Sequence, residues 1–381
     1  MILSEKHELF RKLCRQFAET EFNDELLDRL DEDGEFDWEI FRKIADAGFC
    51  GVKVPRKYGG QGGDSLMYVL MLEEFARVSP VISIYANTSN SLGSGPLLAC
   101  ANEEQLQKYL PAAARGESIL SFALTEPDAG SDAGGVMTSA VAVEDGFILN
   151  GRKRFASGAP IADYALVFAR TDMKQKGNRG ISLFIVDMKL PGVSCGKHED
   201  KMGIKGYPTS DILFEDVKLS KDALLGPLHF GFATAMKTLD GGRLGVAAQA
   251  LGIAQGCLEE AIEYAKSRKQ FGKPIAANQG ISFMIADMAT EIEAARELIY
   301  NTAVLKDSGS REASIKCSMS KYFAAEMCNR VAYKALQVFG GYGYIKGYKI
   351  ERLYRDARIT SIYEGTSQIQ QVVISNTLLR D

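Results

Sequence analysis

The sequence is poor in side chains that carry metal and imidazole chemistry. Only three histidines occur among 381 residues (His7, His198 and His229), and none neighbours another candidate ligand. That argues against a zinc site and a histidine-based dyad, and turns attention to carboxylates for any proton transfer. The seven cysteines (Cys14, Cys50, Cys100, Cys195, Cys257, Cys317 and Cys328) are odd in number and never spaced Cys-x-x-Cys. They read as reduced thiols rather than a disulfide framework. No apolar run reaches spanning length, which argues against membrane insertion. The opening Met1 to His7 lacks the basic and apolar regions of a signal peptide, so the expected location is cytoplasmic. A net charge of −4 without a basic run leaves no footprint for nucleic acid. Tryptophan is represented by Trp38 alone.

What is present is an ordinary globular composition in a chain long enough for two or three domains. Helical periodicity dominates up to about residue 120. Ser4 is a plausible N-cap for a helix whose Leu9, Leu13 and Phe17 recur every four residues. Further helices fit Trp38–Ala47, Leu66–Val78 and Glu103–Tyr109, interrupted by a loop at Val54–Asp64. From Ser121 to about Leu225 the pattern changes to short β-rich runs: Val141–Val143, Phe147–Leu149, Tyr164–Ala169, Ile181–Val186 and Asp211–Phe214. Asp145-Gly146 and Asn150-Gly151 punctuate them as turns. No helical period intervenes, which favours an antiparallel β domain over a parallel βαβ sheet. From Gly231 helical periodicity returns, with Ile285, Met288, Ile292, Ala295 and Ile299 on one face and Met319, Phe323, Met327 and Val331 on another. The expected domains are 1–120 (helical), 121–228 (β) and 229–381 (helical).

Five segments carry possible chemistry. Ile362-Tyr363-Glu364-Gly365-Thr366-Ser367-Gln368 sets one carboxylate between an aromatic and a glycine, poorly placed for a helix interior and well placed to enter a cleft. Ser121–Gly135 leaves a short strand into a turn of small and hydroxyl residues, where Thr125, Ser131 and backbone amides could face a heterocycle or phosphate; it reads equally as a polar loop. Phe155 and Ser157 stand near each other at a strand end, beside a flavin ring or simply in the core. Arg268–Ile275, with Gln279 beyond, ends a long helix, where the arginine suits either a pyrophosphate or the helix dipole. Gln337–Tyr344 looks like a dinucleotide fingerprint but follows a helical pattern, so a Rossmann reading fails; its glycines instead suit close approach of a ligand.

Taken in this order over essentially the whole chain, these segments resemble the acyl-CoA dehydrogenase family. The similarity is greatest to its short-chain, butyryl-CoA-type branch, which includes enzymes of aryl and cyclic acyl thioesters. Leu239-Asp240-Gly241-Gly242-Arg243 and Ala250–Gln255 are similar to that branch as well. The resemblance implies an α+β fold with an N-terminal helical domain, a central antiparallel β-barrel-like domain and a C-terminal four-helix bundle, assembled as a homotetramer that binds FAD. It implies that Phe122, Leu124, Thr125, Ser131, Phe155 and Ser157 contact the flavin. Arg268, Phe271, Gln279, Gln337 and Gly341 would meet a neighbouring subunit's FAD, and Thr366 and Gln368 the nearby cofactor. Ser131, Asp240, Arg243, Tyr363 and Gly365 match substrate positions, and Glu364 matches the base.

The chemistry so implied is α,β-dehydrogenation of an acyl-CoA, with Glu364 removing the α-proton and hydride leaving to the flavin. The backbone N–H of Glu364 and a flavin ribityl hydroxyl would polarise the thioester carbonyl. Electrons would pass to an electron-transfer flavoprotein. The same site could run as an enoyl-CoA reductase. A CoA-thioester-binding flavoprotein without this activity predicts loss of the base, and the chain is short for an acyl-CoA oxidase. One departure is Phe155, where many family members carry tryptophan. Small residues in Asn87–Pro96 either leave room for a branched, aromatic or cyclic acyl group or let two helices pack closely.

Overall fold

The computed structural model describes residues 2–379. Its chain order is helical, then β, then helical. Seven helices come first: α1 (Glu5–Glu21), α2 (Asp24–Asp33), α3 (Trp38–Asp46), α4 (Ser65–Val78), α5 (Pro80–Thr88), α6 (Ser94–Cys100) and α7 (Glu103–Ala114). A π-helical turn, Ser89–Gly93, joins α5 to α6. Local chemistry fixes the starts: Asn23 caps α2, Asp37 caps α3, Asp64 caps α4, and Asn102 with Gln105 forms a reciprocal capping box on α7. Ser4 caps α1 as its sequence predicts. The face of α1 is another matter. Leu9 and Leu13 are exposed, whereas Cys14 and Ala18 are buried with Phe10 and Phe17 packed against the core. Of the three residues in the four-residue spacing, only Phe17 meets the core.

The strands are β1 (Leu120–Ala123), β2 (Ser139–Val143), β3 (Gly146–Ser157), β4 (Tyr164–Arg170), β5 (Ile181–Asp187), β6 (Val193–Cys195), β7 (Thr209–Ser220) and β8 (Leu224–Leu225). They form one sheet in the order β6-β7-β3-β2-β4-β5-β8. Most pairings are antiparallel, but β1 runs parallel to the first half of β4, and Ser139 of β2 pairs parallel with Arg170 at its end. Leu149, Val167, Phe184, Val186, Phe214 and Val217 share a core within this domain. Leu166, Phe168, Leu183 and Ile185 pack instead with Leu97, Leu110 and Ala235 from the helices. Asp145-Gly146 turns the β2–β3 hairpin, but Asn150-Gly151 does not turn. It lies within β3 at a bulge against β7, where Gly151 (φ 144) comes against Thr138.

Three long helices follow, α8 (Gly231–Ser267), α9 (Gln279–Asp307) and α10 (Ala313–Phe339), then α11 (Lys349–Ala357) and α12 (Ser367–Leu378). Helices α8, α9 and α10 pack on one another, α12 closes on α10, and α4 of the first region lies against α8. The predicted stripe of α9 is buried from Met288 to Ile299. In α10, Met327 and Val331 are buried but Phe323 is exposed, because Cys317, Lys321, Ala324 and Cys328 occupy the inner face. After α8 the chain makes a two-residue hairpin, β9 (Lys269–Gln270) and β10 (Lys273–Pro274), with Phe271 and Gly272 at its tip. Among the described residues no helix is long and apolar enough to cross a membrane.

Candidate active site

Glu364 lies in the short loop between Ser361 and α12. Its backbone is left-handed (φ 51), as is that of Gly365 (φ 94). A non-glycine residue in that region costs about 1–2 kcal/mol, so its surroundings must hold it there. They do. Lys321 Nζ donates to the Gly365 carbonyl at 2.7 Å, Gln370 Nε2 donates to the same oxygen at 2.9 Å, and Thr366 accepts from Ile369 N to start α12. A Cβ on Gly365 would meet Gln370 Nε2 at 2.6 Å, so the loop requires glycine here. The preceding side chain, Tyr363, hydrogen-bonds through its hydroxyl to Gln249 of α8, and Gln249 Nε2 donates in turn to Ser83 Oγ at 3.0 Å and Pro80 O at 3.1 Å.

The carboxyl of Glu364 points at α8. A Cβ at Gly242 would stand 1.7 Å from Oε2, so the helix is bare where the acid touches it. Oε2 is buried and has no hydrogen-bond partner. Burial pushes the Glu364 carboxyl up to about 7, against the opposing pull of Lys321 and Arg243. Arg243 is buried, paired with Asp240 at 2.8 Å, and reaches Ser318 Oγ at 3.4 Å. Burial takes Lys321 down to about 8, against Glu364 and Glu326. One loop thus gathers Tyr363, Glu364, Gly365 and Thr366 beside Asp240 and Arg243 of α8. Gln368, on the first turn of α12, is exposed.

A second group forms on the β domain. Arg154 N donates to Thr125 O at 2.8 Å and Ser121 Oγ donates to Ser157 O at 2.9 Å, which ties the end of β1 to the end of β3. Phe155 sits on a left-handed backbone (φ 55), is 57% exposed, and lies under the Arg154 guanidinium at 4.5 Å. It is therefore not a core aromatic. Ser157 and Ser131 are exposed and Thr125 is half-buried, whereas Leu124 is buried and Phe122 packs on Phe168 at 5.0 Å between centroids. An uncovered ring beside free hydroxyls fits the face of a flavin.

The third group is remote. Arg268 and Gly341 line a cavity of about 390 Å³ with Tyr264, Gln270, Phe339 and Tyr342, and the Arg268 guanidinium stands 5.2 Å from the Tyr342 ring centroid. Gln279, Gln337 and Phe271 are exposed nearby in sequence but do not line it. Arg268 caps α8 twenty-six positions beyond Gly242, about 39 Å along the helix. A single chain does not bring this group to Glu364.

Four residues at the first group escaped sequence reading: Lys321, Gln370, Gln249 and Tyr68. Gln370 lies on the first turn of α12 just past the motif, whereas Lys321, Gln249 and Tyr68 come from helix interiors far from it in sequence. The one available signal was the lysine in the small-residue run Ser318-Met319-Ser320-Lys321.

Family models for the acyl-CoA dehydrogenase N-terminal, middle and C-terminal domains match residues 4–117, 121–217 and 229–379. The chain is 57% identical, over all of both chains, to caffeyl-CoA reductase-Etf complex subunit CarC of Acetobacterium woodii. It is 55% identical, again over all of both, to a 3-(aryl)acrylate reductase of Clostridium sporogenes. The solved butyryl-CoA dehydrogenase of Megasphaera elsdenii superposes with a TM-score of 0.96 at 42% identity, covering 100% of each chain. The cofactor in this family is FAD, and the chain belongs to the acyl-CoA dehydrogenase family, oxidoreductases acting on CH–CH bonds.

Proposed function

We propose that this enzyme interconverts an acyl-CoA and its 2-enoyl-CoA at Glu364. The observation that carries the reading is the unpartnered, buried Oε2 of Glu364 on a backbone fixed by Lys321 and Gln370. With a carboxyl raised to about 7, Glu364 holds a proton or not near neutrality, so one group serves as base in one direction and acid in the other. Its own backbone N–H is the donor for the thioester oxygen, and the left-handed turn aims it. FAD, when bound, would supply the hydride chemistry at the β-carbon. Thr125, Ser131, Phe155, Ser157, Thr366 and Gln368 hold the flavin of the same chain, with Leu124 and Phe122 supporting the wall behind. Arg268, Phe271, Gln279, Gln337 and Gly341 would hold the nucleotide end of a neighbouring copy's FAD in a homotetramer, a reading supported by the distance of about 39 Å along α8 between Arg268 and Gly242. Asp240, Arg243, Tyr363 and Gly365 shape the substrate side, Arg243 through its charge beneath the loop.

The relatives named as caffeyl-CoA and aryl-acrylate reductases favour reduction of an arylacryloyl thioester as the working direction, with an electron-transfer flavoprotein as partner. The test is anaerobic mixing of holoenzyme with saturated and unsaturated thioesters while the flavin spectrum is followed. Glu364→Gln should keep its FAD and bind thioesters but neither bleach nor exchange the α-proton. Normal turnover in that variant would remove Glu364 from the reaction.

A further inference from the structure

Two glycines three residues apart leave α8 bare between Glu364 and Tyr68. Gly242 lies under Glu364 Oε2, and a Cβ on Gly245 would stand 2.2 Å from the Tyr68 hydroxyl. The Tyr68 hydroxyl therefore sits about one turn along α8 from the acid. The opposite wall is the end of α5 and the π-turn, which pack on α8. Gly93 would clash with the Thr88 carbonyl at 2.5 Å if it bore a Cβ, and a Cβ on Gly95 would meet Thr238 at 3.2 Å. π-Turns of this kind recur where a helix is re-aimed for function.

This wall is polar and underused. Tyr68 donates to Asn87 Oδ1 at 2.8 Å, which occupies the amide's acceptor and leaves both Nδ2 hydrogens without a partner. Asn87 is half-buried, as are Ile84 and Thr88 beside it, so its amide is not sealed in the core. The buried Ser91 Oγ lies beside the Tyr68 hydroxyl, close enough to interact with it, and the Oγ atoms of Ser89 and Ser94 nearby are buried without a hydrogen-bond partner. Burial pushes the Tyr68 phenol up, so it stays neutral. Lys53 stacks over its ring face at 5.2 Å instead of reaching the hydroxyl. Buried donors and acceptors left unpaired are costly, and an acyl group ending in hydrocarbon would not relieve them.

We propose that the end of the acyl site binds an uncharged hydroxyl on the acyl group, a phenolic hydroxyl on an aryl ring, through the Asn87 amide and the Tyr68 and Ser91 hydroxyls. This rests on the reading of the site as an arylacryloyl thioester site. The Asn87 Nδ2 donates to the phenol oxygen, and the phenol donates to the free lone pairs of Tyr68 or Ser91. Neutral partners select a hydroxyl over a carboxylate, which would meet no cation in hydrogen-bonding reach.

The test uses holoenzyme carrying Glu364→Gln, so that ligands bind without reacting, and calorimetric titration with cinnamoyl-CoA and 4-hydroxycinnamoyl-CoA. The hydroxylated thioester should bind about tenfold more tightly. Asn87→Ala and Ser91→Ala should each erode that advantage, toward equal affinities. Equal affinity in the Glu364→Gln parent, or an undiminished preference in whichever of the two variants retains its FAD, would overturn the proposal. If butyryl-CoA bleaches the wild-type flavin while neither aryl thioester binds, the ring assignment falls and the enzyme reading stands. If no thioester bleaches it, both fall.

Discussion

Two lysines are wholly buried among the described residues, and they live differently. Lys153, on β3, is 2.7 Å from Glu126 Oε1 and 3.1 Å from the Leu124 carbonyl, while Glu126 also accepts from the backbone N–H groups of Met137 and Thr138. Burial would raise the Glu126 carboxyl, but Lys153 outweighs it and the group ends below the usual carboxylate range. Every partner is spoken for. Lys321, on α10, donates to a peptide oxygen and only neighbours its carboxylate, so Glu364 keeps an idle oxygen and a raised proton affinity. A closed buried pair stabilises a domain; an open one stores reactivity.

The contrast can be broken from either side. Glu364→Gln should lower turnover in both directions by about a thousandfold, measured as the rate of anaerobic flavin bleaching or recovery. Lys153→Met should leave turnover per folded molecule intact but destabilise the protein by about 3–5 kcal/mol in denaturant titration, with much of the loss recovered on adding Glu126→Gln. Gly242→Ala puts a methyl where Oε2 now lies, and should lower kcat/KM about a hundredfold without loss of FAD. Lys321→Met removes a charge that favours ionised Glu364. The dehydrogenation profile, which rises through about pH 7 as the base ionises, should move to higher pH by about one pH unit, and the falling limb for reduction should move the same way. Lys321→Arg should restore most of it.

The smallest effect is on stability. The Glu364 carboxyl is raised on folding from 4.5, so its contribution is fully present below that pH and is lost as pH rises through about 7. Relative to wild type, Glu364→Gln should gain melting temperature between pH 5 and pH 8.

The motif around Glu364 was legible because its aromatic–acid–glycine string is local. So were the helical, β, helical succession and the strands read at Tyr164–Ala169 and Ile181–Val186, each of which runs one residue further in the structure. Asn150-Gly151 misled because a glycine that serves a bulge looks the same as one that serves a turn. Leu9 and Leu13 misled because surface leucines are common and the small Cys14 and Ala18 carry the buried face. Lys321 and Tyr68 were invisible for a deeper reason: each becomes a site residue only when helices distant in sequence pack, and helical periodicity reports burial, not what lies opposite.

Helix α8 runs for 37 residues, a rod of about 55 Å. Its glycine-bearing third faces the acid of its own chain, and its far tip carries Arg268 beside the nucleotide cavity. In the proposed assembly each dinucleotide is gripped by two subunits, at the ring by the β domain of one and at the phosphates by the rod tip of another. Dissociating the oligomer and emptying the cofactor then become the same event, so dilution should turn the protein colourless at the concentration where it falls apart.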